Sequence, residues 1–182
     1  MKIPSTGKYF EIPFIKGITC AYCGNKTINY KKFDREIEKA KKEDLAKFVA
    51  SYNKIIPKTE QFIYEEKPSL EDCKKSIRNH FRMFFASTEH LFPEQNGGEY
   101  DISNLLLTCT RCNNERSAED FFHFYKRRPE IRKNITKQLK FIKKRIKKII
   151  ADKKISKEYA NYPQQAAKTI SDITNKELNI IV

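Results

Sequence analysis

An α+β chain, mainly helical, is what three features of the sequence predict. Apolar residues recur at helical spacing over several long stretches. Two short β-compatible runs near the middle flank a loop holding Pro93, Gly97 and Gly98. With 5 Gly and 7 Pro among 182 residues, breaks are few and the regular elements can be long. At 39% hydrophobic and 12% aromatic residues the chain folds around a core, although 33% of it is charged.

Residues 1–19 carry no strong pattern, and Pro4 and Pro13 predict an extended lead-in. From Asp34 to about Ile56 the residues Ile37, Ala40, Leu45, Phe48, Val49, Tyr52 and Ile56 read as one amphipathic helix, stopped by Pro57. Ser69, with Asp72 three residues on, reads as the cap of a second helix running to about Arg82. Met83 to His90 is the first predicted strand, and Asn104 to Thr108 its antiparallel partner. Helix formers follow from Asn113 to Arg127, with aromatics at 121–125 expected mostly in the core, and Pro129 breaks that stretch. A helix from about Glu130 to Asp152, roughly 35 Å long, carries a seam of Ile135, Leu139, Ile142, Ile146 and Ile149. That seam fits either a partner subunit or homodimer contact, or the chain's own core. A last helix is expected at 163–178. The domain reading is a module at 1–128 with a helical insertion at about 30–82, then a basic helical extension at 129–182.

No apolar run approaches the length of a membrane span, and the opening residues lack the pattern of a secretion signal, so the expectation is a cytoplasmic chain without a membrane partner. The net charge of +14 is concentrated: Lys126 to Lys154 holds fourteen Lys or Arg against Glu130 and Asp152. A field of that kind attracts polyanions, nucleic acid first. Lys143, Lys144, Lys147 and Lys148 are the expected phosphate contacts; the plain alternative is a solvated helix face.

Four of the five cysteines form two Cys-x-x-Cys pairs, Cys20/Cys23 and Cys109/Cys112. Each pair can bite one Zn²⁺ ion through two thiolates, and together they complete a tetrahedral shell with no position for water, hence a structural site. Gly24 permits the tight turn of the first pair. The 85 residues between Cys23 and Cys109 do not forbid closure, whose entropy grows only logarithmically. Cys73 is expected to be a small core residue, and His80 and His123 structural or surface residues.

Residues 88–116 run Thr-Glu-His-Leu-Phe-Pro, continue through Gly97-Gly98 and Asn104-Leu105, and end Cys-x-x-Cys-Asn-Asn-Glu-Arg. This ordered set resembles the HNH endonucleases, a ββα-metal family. The resemblance implies a metal-dependent nuclease in which Glu89 and Asn113 hold one divalent cation, Mg²⁺ or Mn²⁺, and His90 is the general base. It also implies that Asn104 orients the His90 ring or shapes the loop behind it. Arg116, one helical turn beyond Asn113, is placed to contact a phosphate. Two positions depart from the common pattern: Asn113 stands where His is frequent, and Glu89 where Asp is usual. Both keep the oxygen donors that a hard cation takes. DNA is the expected substrate, in a restriction or phage-defence setting. The competing readings are a zinc-dependent module that binds nucleic acid without cutting it, and a nuclease toxin or ribonuclease on the same scaffold.

Overall fold

The computed structural model describes residues 17–93, 97–152 and 156–175. The lead-in around Pro4 and Pro13, Lys153 and Lys154, and the end of the last predicted helix lie outside the described residues.

The first stretch of helical periodicity is two helices rather than one, α1 (Tyr30–Lys39) and α2 (Leu45–Asn53). Asn29 caps α1 by accepting from the Lys32 amide at 2.9 Å. The break falls at Ala40 and in the polar run Lys41-Lys42-Glu43-Asp44, where the backbone turns extended and then forms a single tight turn. Apolar spacing does not register a bend in a stretch that buries almost nothing. Helix α3 (Leu70–Phe81) starts where predicted, its Ser69 hydroxyl accepting from the Asp72 amide at 3.0 Å.

Strand β1 (Ala86–His90) is shorter than the predicted run, because Arg82–Phe84 forms one more tight turn and buries Phe84. It pairs antiparallel with β2 (Leu105–Cys109), with His90 opposite Leu105 and Ala86 opposite Cys109. Every residue of β2 is buried, as its unbroken apolar run requires. Helix α4 (Thr110–Arg116) follows without a loop. It ends at Ser117, whose φ of 49° no helix continues through. The predicted stretch to Arg127 is therefore interrupted, and resumes as α5 (Phe121–Arg127) under an Asp120 cap. Helices α6 (Glu130–Ala151) and α7 (Tyr162–Thr174) complete the described chain.

Two cores result. Ile28, α1, α2, α3 and Phe84 enclose one around Phe33 and Phe81. The other joins the cysteine pairs, β2, α5, α6 and α7. Ile135, Leu139, Ile142 and Ile146 are buried in it and Ile149 packs at its edge. Each such burial contributes about 1.5–3 kcal/mol, so the seam holds α6 to its own chain rather than offering an interface. No helix among the described residues is long and apolar enough to cross a membrane.

Candidate active site and metal centre

The two cysteine pairs meet. Their four sulfurs lie within 4.8 Å of one another, and Sγ of Cys23 and Cys109 are 4.0 Å apart. A tetrahedral ion with sulfur at about 2.3 Å spaces its ligands about 3.8 Å apart, so the cluster already has the dimensions of a metal shell. Burial and hydrogen bonds with Cys109 and Cys23 push the Cys20 thiol up, whereas hydrogen bonds from Cys109, Cys112 and Cys20 pull Cys23 down. Such crowding of ionisable sulfurs suits a bound cation, which takes all four as thiolates.

The first knuckle is set by its own backbone. Cys20 N donates to Asn25 O at 2.7 Å, Gly24 N to Cys20 O at 3.0 Å, and Tyr22 N to the Cys20 sulfur at 3.3 Å. Gly24 sits at φ +75°, and a Cβ there would lie 2.7 Å from Asn134 Oδ1. Sequence reasoning misses the cause of this proximity. Asn134 donates to Tyr22 O at 2.6 Å, and Gln138, one turn later on α6, donates to Thr19 O and to Leu107 O. Gln138 thereby ties the knuckle to β2 while 1% exposed. The available signal is two amides four residues apart beside the apolar seam of α6.

The second cysteine pair fixes the start of α4, and α4 reads β1 with two side chains. Asn113 Nδ2 donates to Ser87 Oγ at 2.7 Å and to Thr88 O at 2.9 Å. Arg116 donates to the Glu89 carboxylate, to His90 O at 2.5 Å and to Leu91 O at 2.9 Å. Five consecutive residues, from Ser87 to Leu91, are thus held by one turn of helix.

A cleft of about 360 Å³ opens at this junction, with Glu89, His90, Asn113 and Arg116 among its lining residues. Both amide hydrogens of Asn113 are directed at β1, which leaves its Oδ1 as a donor to a cation. The second carboxylate oxygen of Glu89, Oε2, is buried without a hydrogen-bond partner. That atom and Asn113 Oδ1 suit a hard divalent ion. The His90 ring packs on Tyr100, centroids 5.5 Å apart.

The hydrogen bonds of Asn104 run to the loop after His90 rather than to the His90 ring. Asn104 accepts from Phe92 N at 2.8 Å and donates to Phe92 O at 3.1 Å and Glu99 O at 2.8 Å. Its own carbonyl accepts from Leu91 N at 2.8 Å. It therefore staples both ends of that loop.

Arg116 departs from expectation. Its side chain is 1% exposed and committed to Glu89 and two carbonyls, so it does not present its charge to a phosphate in solvent. The helical offset from Asn113 is as predicted, but the side chain turns inward because Glu89 needs a buried partner. On α6, Lys144, Lys147 and Lys148 are exposed and Lys143 is half-buried. Cys73 and His80 lie in or against the helical core, with His80 Nε2 2.9 Å from Glu60 O.

Two antiparallel strands running straight into a helix, with a four-cysteine cluster at one end and a His-Glu-Asn cleft at the other, constitute the ββα-metal class of fold. Within it, residues 72–120 match the family model of HNH endonuclease, so the family resemblance carried by Glu89 to Arg116 holds. The match spans β1, β2 and α4, just over a quarter of the chain. No curated protein and no solved structure matches.

Proposed function

We propose that this chain is a divalent-metal-dependent endonuclease that hydrolyses phosphodiester bonds in DNA. The observation that carries the reading is that His90, Glu89 and Asn113 line one cleft, and that Glu89 keeps one carboxylate oxygen, Oε2, without a hydrogen-bond partner. Phosphodiester hydrolysis needs a base for the attacking water and compensation of the charge on the leaving oxygen. His90, at the strand end, is the base, since an imidazole titrates near neutral pH. Glu89 and Asn113 are the residues that would hold Mg²⁺ or Mn²⁺, which supplies the charge compensation when bound. Cys20, Cys23, Cys109 and Cys112 would hold a structural Zn²⁺ and take no part in the reaction. The exposed lysines of α6 supply sequence-independent grip on the backbone, which a small cleft that reads phosphate lacks. A role in restriction or phage defence is compatible with such limited base recognition.

The test is incubation of supercoiled plasmid and a structured RNA with the protein in Mg²⁺, Mn²⁺ or EDTA. Wild-type protein nicks plasmid with either metal and not with EDTA, and His90→Ala does not nick. Identical behaviour of wild type and His90→Ala on every substrate would sink the enzymatic reading. Cleavage of RNA alone would replace DNA as the substrate.

A further inference from the structure

The ion pair between Glu89 and Arg116 is the least expected feature of the cleft. Both side chains are 2% exposed or less, and only one carboxylate oxygen is used. A buried guanidinium normally satisfies a carboxylate with both prongs of its fork. Here the fork is divided: Nη1 serves Glu89 and His90 O, and Nη2 serves Leu91 O. The guanidinium so fixes the end of β1, while Glu89 lines the cleft and keeps its Oε2 buried without a hydrogen-bond partner.

The division has an electrostatic consequence. The proposed cation ligands are one carboxylate and one neutral amide, and Arg116 cancels the carboxylate's charge. In a setting this dry the cancellation is screened little by salt. A divalent cation therefore meets a site with no net negative charge. The missing charge is what a phosphate diester carries.

We infer that Arg116 is a positioning residue that keeps the cation site weak until nucleic acid arrives, so that divalent metal and DNA bind with positive coupling. This rests on the nuclease reading of the cleft and adds to it the order of preference: metal binds to the DNA complex far better than to the free protein. The coupling is reciprocal, as any linkage between two ligands must be.

The experiment measures Mn²⁺ binding to the zinc-loaded full chain through the electron paramagnetic resonance signal of free Mn²⁺. It is run with and without a short DNA duplex, in a His90→Ala background so that the duplex stays intact. The duplex raises Mn²⁺ affinity on the order of tenfold or more. Arg116→Gln raises the affinity of the DNA-free protein by a similar factor and shrinks the duplex effect toward none. Arg116→Lys, which keeps the charge, stays near the parent on Mn²⁺ binding. A folded Arg116→Gln whose DNA-free affinity is unchanged or lower overturns the inference, because a purely structural arginine would give that result. Should Arg116→Gln not fold, the parent decides alone: no duplex effect on Mn²⁺ overturns the coupling. Failure of the nuclease reading looks different, since a parallel plasmid assay would then find wild type no more active than His90→Ala whatever Mn²⁺ does.

Discussion

Replacing Asn104 tests how the cleft keeps its shape. The side chain makes three hydrogen bonds, accepting one from Phe92 N and donating two to Phe92 O and Glu99 O, while 7% exposed. At about 1 kcal/mol net for each, Asn104→Ala costs the loop about 3 kcal/mol. The Phe92 amide, now without its acceptor, exchanges its hydrogen on the order of a hundredfold faster. Asn104→Asp is the more discriminating change. It keeps the acceptor for Phe92 N but sets a second carboxylate oxygen against two carbonyls at about the distances the amide occupied, 3.1 and 2.8 Å. Aspartate should therefore be worse than alanine at neutral pH. Its penalty should ease in acid, where a protonated carboxyl can donate to one of those carbonyls. Hydrogen exchange at Phe92 and plasmid nicking measure both effects, and a misplacement of His90 by about 1 Å is enough to cost on the order of a hundredfold in rate. Two results would refute the argument. One is aspartate milder than alanine at neutral pH; the other is activity lost with the Phe92 amide as protected as before, which would place Asn104 at the His90 ring instead.

Metal analysis of purified protein should find one zinc per chain, and stripping it with a thiol-competing chelator should abolish cooperative melting, since such a site contributes on the order of 10 kcal/mol; a sharp, unshifted melt after stripping would contradict the staple. Changing Lys143, Lys144, Lys147 and Lys148 together to Ala should weaken DNA binding and flatten its dependence on salt, the slope falling by about 0.9 for each phosphate no longer neutralised; an unaltered slope would return α6 to the status of a solvated face. Gln138→Leu should lower stability by about 2 kcal/mol by leaving the Thr19 carbonyl without its Gln138 donor and the Leu107 carbonyl with only the Ala21 amide, read as a fall in Tm without change in zinc content.

The motif is legible in the sequence because the chemistry of its residues agrees with their spacing. Thiols in two short pairs, a histidine after an acid, and an asparagine directly after the last cysteine each have few other uses in that order. Where side chains face is not legible. The sequence points Arg116 to solvent because an arginine is seldom fully buried, and nothing in the local sequence says that Glu89 on the facing strand needs it. Gln138 and Asn134 are hidden for a similar reason, as polar residues flanking a seam read as its boundary. The break between α1 and α2 lies where apolar periodicity has no voice. Burial, rather than residue type, decides each of these.

The long separation of the cysteine pairs looks costly until the helical core between them is considered. Joining two points 85 residues apart in a free chain costs about 4 kcal/mol in the length-dependent part of loop closure. The intervening segment, however, closes on itself. Ile28 N donates to Phe84 O at 2.9 Å and Ala86 N to Ile28 O at 2.8 Å, so the two ends of the α1–α3 core already lie side by side. Only four residues separate Cys23 from Ile28. Arg111, between the two cysteines of the second pair, pairs with Glu60 and lies over the Phe84 ring, docking the same core onto α4. The folded segment between them therefore delivers the first knuckle to the second, and a metal held by the four thiols would be left to stiffen the junction of β2 and α4. That junction sets the angle at which Asn113 and Arg116 meet β1, and so the spacing of Glu89, His90 and Asn113 around the cleft. Rigidity at the thiol cluster and geometry at the cleft are, by this route, one property of a single helix turn.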